Sequence, residues 1–253
     1  MNEEIIYAYD GTFNNLINLI AILIKNGKKP TTIIDENKYN ENLFDKIIKY
    51  EKDNKLTKTL TNKLTKETIK TIFNVYLSEN KNKELIIYYF TKNSLKYKKD
   101  IHKMLNLKCV YLATKISKYV MRENHKFKGF TRFKLLKNDV LYAEIEPTNN
   151  IIFLLSLHFK DRLKNEKWII KDTKRKIYSI YQKDNFYIVD ENDLIKDKIT
   201  ISKGEEKIEK LWFSFFKTIG IKERKNKKLQ MNQMPKKYWK NIIEMREKNE
   251  KSN

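Results

Sequence analysis

The sequence predicts an α+β fold: a helical N-terminal half packed with an antiparallel hairpin and meander sheet, and helices returning at the C-terminus. Three observations carry this. Apolar residues recur at helical spacing over most of the first 124 positions. The period changes to two near residue 130, and turn residues then separate short β-branched and aromatic runs.

The first element is a short strand, residues 5–9, closed by an Asp10-Gly11 turn. Thr12 is placed to cap a helix whose apolar positions are Phe13, Leu16, Ile17, Ile20 and Ile24. Gly27 and Pro30 stop it, and residues 31–55 carry mixed signals. Thr65 caps a second helix with Ile69, Ile72, Phe73, Tyr76 and Leu77 on one face. A third runs over 85–95 and a fourth over 107–124.

Residues 130–136 and 140–146 then read as a hairpin around Lys137-Asn138-Asp139, ended by Pro147. Residues 151–163 are an amphipathic helix, and strands are expected over 168–171, 177–181 and 186–189. A helix through Ile208, Leu211, Trp212, Phe215, Phe216 and Ile219 precedes a basic segment with a short helix after Pro235. No repeat or long linker divides the chain. The expectation is one domain over 1–253, with sub-lobes at 1–124 and 125–253 and a disordered tail over 241–253.

Composition bounds the function. There are 54 Lys and Arg against 32 Asp and Glu, a net charge of +22, which favours polyanionic partners by counterion release and steering. Part of this charge is compositional drift, since Lys, Asn and Ile are all abundant. One cysteine, Cys109, excludes an intramolecular disulfide, and this chain alone cannot hold an iron–sulfur cluster or a radical-SAM centre. No cofactor and no metal site is expected, because no His/Cys cluster has ligand spacing. The N-terminus lacks a signal peptide, and the apolar stretch 16–24 is too short to span a bilayer, so a cytoplasmic protein without a membrane partner is expected.

Against 48 lysines the six arginines stand out, at 122, 132, 162, 175, 224 and 246. An Arg in such a chain marks either a surface survivor or a site that needs the planar fork. His125 and His158 each follow apolar residues at helical spacing and are expected to face inward, as packed rings or as site residues. In the hairpin, a three-residue loop pairs 133 with 143 and 135 with 141. The same register sets Arg132 opposite Glu144 and Phe130 opposite Glu146. That pair either braces the sheet or presents an ordered guanidinium.

The basic segment carries Arg224, Lys225, Lys227, Lys228, Lys236 and Lys237, with Gln230, Tyr238 and Trp239 interleaved. Cations there can track phosphates while aromatic faces accept unstacked bases; the alternative is a solvated basic helix with Tyr238 and Trp239 in the core.

Several ordered motifs resemble a bacterial family described as "probable DNA metabolism protein". They are Tyr9-Asp10-Gly11-Thr12-Phe13, the run from His125 through Lys128 to Phe133, Tyr142-Ala143-Glu144-Ile145-Glu146-Pro147, His158-Phe159 with Asp161-Arg162, Trp168-Ile169-Ile170 with Asp172, Glu223-Arg224-Asn226 with Gln230, and Pro235-Lys236-Lys237-Tyr238-Trp239. The match runs from about Tyr9 to Trp239. The resemblance implies a setting beside a radical-SAM protein of DNA repair or modification. It also implies a uracil-DNA-glycosylase-type domain, fused in many members and expected here as a separate polypeptide. It supplies no catalytic residues.

Three functions follow. The first is a DNA-binding accessory protein that works on single-stranded or damaged DNA with a radical-SAM partner. The second is a nucleic-acid-processing enzyme using His125, Arg132, Glu144, His158, Asp161 and Arg162, in which a His–carboxylate pair moves protons and Arg meets a phosphoryl group. The third is an adaptor that docks its partner without touching DNA and needs an exposed apolar patch.

Overall fold

The computed structural model describes residues 5–39, 46–137, 139–193, 208, 211, 212, 215 and 226–245. The chain divides into two compact units, Met1–Met121 and Arg122–Asn253, where the sequence placed a lobe boundary at 124. The α+β expectation holds, with a sheet in each unit.

In the N-terminal unit the strands β1 (Ile5–Tyr9), β2 (Thr32–Asp35) and β3 (Lys46–Ile48) form a parallel sheet in the order β2-β1-β3. The connection from β1 to β2 is α1 (Phe13–Lys25), whose residues from Leu16 to Leu23 are all buried. A helix apolar on nearly every side belongs inside a core. Thr12 caps it, accepting from the Asn15 amide at 3.3 Å. Gly11 is required where it stands: its φ is +79°, and a Cβ would meet Asp35 Oδ1 at 2.7 Å. Helices α2 (Asn54–Lys63), α3 (Lys66–Tyr76) and α4 (Lys83–Tyr97) follow, with Thr65 capping α3 as the sequence predicts. Leu16, Ile20, Leu23, Ile72, Ile87 and Phe90 form the centre of the core.

The sequence missed this sheet beyond its first strand. β2 and β3 have four and three residues, too short to show a period of two.

Helix α5 (Lys108–Phe130) contains the division between the units. The C-terminal unit holds β4 (Lys134–Leu135), β5 (Leu141–Ile145), β6 (Trp168–Asp172), β7 (Ile177–Gln182) and β8 (Asn185–Asp190), hydrogen-bonded in that order. β5 and β6 are parallel, because α6 (Ile152–Arg162) carries the chain back between them; the other pairs are antiparallel, so the sheet is mixed. Trp168 is fully buried and stacks on Tyr181 at 5.1 Å.

The expected strand over 130–136 shrinks to two residues. α5 continues through 125–130 because Val120, Glu123 and Phe127 are buried along one face, and the Thr131 hydroxyl closes the helix on the Phe127 carbonyl at 2.6 Å. The observed pairs 135–141 and 134–142 agree with the predicted register, but Arg132 lies outside the strand. The disordered tail expected from 241 does not begin there: residues Ile243–Met245 form a 3-10 turn, with Ile242 and Met245 buried. Among the described residues, no helix is long and apolar enough to cross a membrane.

Candidate nucleic-acid interface

The C-terminal unit is organised around buried carboxylates. Glu123, 3% exposed on the inner face of α5, accepts from the Thr148 and Asn149 amides at 2.8 Å each. It also accepts from Asn149 Nδ2 and the Tyr238 hydroxyl, both at 2.6 Å. Burial pushes its pKa up, and the donors from Tyr238, Asn149 and Thr148 outweigh this and hold it below the usual glutamate value. Fully buried Asp172 is paired with Arg175 at 2.8 Å. Burial raises its pKa despite the guanidinium. Arg175 also donates to the Thr148 carbonyl at 2.5 Å, so the loop after Pro147 is held from both sides.

Arg132 takes part in the same scaffold. Its Nη2 meets Glu244 Oε1 at 2.6 Å and its Nη1 meets the Gly129 carbonyl at 2.5 Å. Glu244 also accepts from Trp212 Nε1 at 3.2 Å. Hydrogen bonding and charge from Arg132 hold the Glu244 pKa down against burial. The expected partner Glu144 is exposed and accepts from the Tyr142 hydroxyl at 2.8 Å. The Arg132–Glu144 pair is therefore corrected to Arg132–Glu244, because β4 begins only at Lys134 and Arg132 lies before it.

The candidate histidines separate. His125 is exposed, on the outer side of α5, contrary to the inward placement expected from spacing. Buried Glu123, Asn124 and Phe127 take the inner face there. His158 is half-buried and packs against Phe159 at 5.1 Å. Burial first, then Lys128 and Arg162, push its pKa below 6.5, while Asp161 opposes them. Asp161, Arg162 and Lys128 are exposed. So the charges of Arg162 at the end of α6 and of Lys128 on α5 both reach His158, with Asp161 opposing them. Of the six candidates, His158, Asp161 and Arg162 share the last turns of α6, and Arg132 is tied to Glu244.

In the basic segment, α7 (Lys227–Gln233) is capped by Asn226. Lys227, Lys228 and Lys236 are exposed, and Gln230 is half-buried, donating to Met245 Sδ at 3.7 Å. Lys237 is exposed but donates to Thr148 Oγ1 at 2.7 Å, with its ammonium 4.7 Å from the Tyr238 ring centroid. Tyr238 and Trp239 are 8% and 7% exposed. Their rings pack inward, and Trp239 Nε1 donates to the Met234 carbonyl at 2.9 Å. They are not a stacking platform for bases; the core reading is the correct one. Arg224 and Lys225 lie outside the described residues.

Sequence reasoning missed Glu123 and Glu244. The signal for Glu123 was present: an acid on an apolar stripe with Val120 and Phe127, in a chain where acids are the minority. Glu244 lay in the expected tail and had no such mark.

A family profile described as a domain of unknown function (DUF4130) matches residues 81–244. No curated protein matches the chain.

Proposed function

The chain belongs to the DUF4130 family, and on that premise we propose that it is a DNA-binding accessory protein of DNA repair or modification. In this reading it acts on single-stranded or damaged DNA in the cytoplasm beside a radical-SAM protein. A separate uracil-DNA-glycosylase-type protein is a further partner in the same setting. One observation carries the DNA-binding part: the exposed cations Lys128 and Arg162, from two of the ordered motifs, both act electrostatically on His158, adding to the burial that chiefly lowers its pKa. Exposed cations attract phosphate, and the net charge of +22 supplies long-range steering.

The test is fluorescence anisotropy with single-stranded and gapped DNA at several salt concentrations. Wild-type protein binds with a steep salt dependence. Each lost phosphate contact flattens the log–log salt slope by about 0.7 on single strands, so Lys128→Ala with Arg162→Ala flattens it by about 1.4. An unchanged slope, or no binding at low salt, removes the proposal.

A second reading, the adaptor, is favoured by a separate observation. Ile208, Leu211, Trp212 and Phe215 are helical, spaced along one face, and each at least 40% exposed. It predicts that the chain co-elutes with the radical-SAM partner and that Leu211→Asp with Phe215→Asp abolishes co-elution. Two separate peaks for the wild-type proteins at micromolar concentration would count against it.

A further inference from the structure

The N-terminal unit contains a second candidate site of its own. Its strand order β2-β1-β3 places the chain reversal at β1 and β3. In open parallel sheets, ligands lie in the crevice outside the carboxyl ends of the strands at such a reversal. A cavity of about 200 Å³ sits at that place, lined by Asp10, Asn15, Glu36, Lys49, Tyr50 and Lys52 among others. Asp10 follows the last residue of β1, and Lys49 follows the last residue of β3.

The polar groups are graded with depth. Asp10 and Asn15 are half-buried at the floor, whereas Lys49 and Lys52 are exposed at the mouth. Asp10 Oδ1 accepts from the Thr12 amide at 2.9 Å and the Thr12 hydroxyl at 2.7 Å. Its Oδ2 accepts from Asn15 Nδ2, which leaves that oxygen a second acceptor position. The Asn15 amide is thereby oriented, because turning it over would bring its oxygen against the carboxylate. Asn15 Oδ1 is then enclosed with no donor among the described residues. Tyr50 lies parallel to Tyr7 at 6.3 Å and forms part of the wall.

Acceptors at the floor call for a ligand head rich in N–H and O–H donors. Lys49 at the mouth is neutralised by Glu36 at 2.6 Å, so Lys52 is the cation that calls for an anionic end, and an aromatic wall suits a planar ring. We propose that this cavity binds a nucleotide: base or ribose donors on Asp10 and Asn15, the ring beside Tyr50, and the phosphate at Lys52. The volume is below the roughly 300–1,000 Å³ of pockets that enclose drug-sized ligands, so it holds one nucleotide with its phosphate outside. The nucleotide is either free or the terminal unit of a strand. The site shares no residue with the surface around His158, so the two stand or fall separately.

The test titrates the full-length chain, by calorimetry, with each of the four deoxynucleoside 5′-monophosphates and with a short thymidine oligonucleotide. Inorganic phosphate is the control. Lys52→Glu and Asn15→Ala are compared with wild type, with melting curves on each. The expected result is saturable binding of a monophosphate, weakened about tenfold or more by Lys52→Glu, which reverses one charge-assisted contact. Melting and the response to Lys128→Ala with Arg162→Ala stay unchanged. Binding of the oligonucleotide alone, with the same sensitivity to Lys52→Glu, also supports the site and identifies the strand as its source. Binding indifferent to both Lys52→Glu and Asn15→Ala overturns it, as does equal binding of inorganic phosphate or no binding of any probe.

Discussion

Each unit buries a glutamate, and the two are treated in opposite ways. In the N-terminal unit Glu84, 7% exposed, accepts one side-chain bond, from the Tyr9 hydroxyl at 3.1 Å. Burial dominates and raises its pKa. In the C-terminal unit Glu123 is enclosed more completely, yet its four donors from Thr148, Asn149 and Tyr238 lower its pKa. The lesson is that depth alone does not decide whether a buried carboxylate is a cost or an anchor; the number of donors aimed at it does. Glu123 ties α5, the loop after Pro147 and the Tyr238 segment into one network. Glu84 is a tolerated polar group beside an aliphatic core.

The comparison breaks most visibly at Glu123. Glu123→Ala leaves several buried donors without an acceptor, and the C-terminal unit loses about 3–4 kcal/mol. Chemical denaturation with hydrogen exchange assigns the loss to a unit; a loss under about 1 kcal/mol would show that the network is not an anchor.

Arg132→Met comes next. It strands the Glu244 carboxylate, 4% exposed at its side chain, and costs about 3 kcal/mol. Arg132→Lys keeps the charge without the fork and costs about 1 kcal/mol. If Arg132→Met melts like wild type, the Arg132–Glu244 pair contributes no anchoring.

The pH profiles sharpen the contrast. Glu123 has a folded pKa below the ordinary 4.5, so its contribution is present above 4.5 and is lost as pH falls through the depressed folded value. Glu84 has a folded pKa above 4.5, so its contribution is complete below 4.5 and is lost as pH rises through the raised value. The stability difference between wild type and Glu123→Gln therefore shrinks on acidification. For Glu84→Gln, the variant gains on wild type as pH rises. Parallel profiles for the two variants would falsify the assignment of opposite shifts.

The smallest effect is Glu84→Gln itself at neutral pH. The amide keeps the shape and can accept the Tyr9 hydroxyl without a charge to desolvate, so stability stays within about 0.5 kcal/mol of wild type. A loss of several kcal/mol in thermal melting would mean that Glu84 is an anchor after all.

The sequence by itself determined what depends on neighbours along the chain. Thr12 and Thr65 cap their helices as read, since a cap needs only the amide three residues on. The hairpin register is legible because a short loop and the two-residue period define it locally. The α+β class follows from the change of period, and the Asp10-Gly11-Thr12 turn stands where the motif placed it.

Only the tertiary structure decided who meets whom at long range. The Arg132–Glu244 bond spans 112 positions and the Tyr238–Glu123 bond spans 115. No periodicity signals such a partner, and the hairpin register points Arg132 to Glu144 instead. Tyr238 and Trp239 show the same limit: a basic segment with aromatic residues reads alike whether the rings face solvent or core, and the acceptors Glu123 and the Met234 carbonyl turn them inward. The parallel edges of the first sheet were hidden for a related reason. Three- and four-residue strands carry too few side chains to show a period, and they form because α1 and the central strand hold them in place.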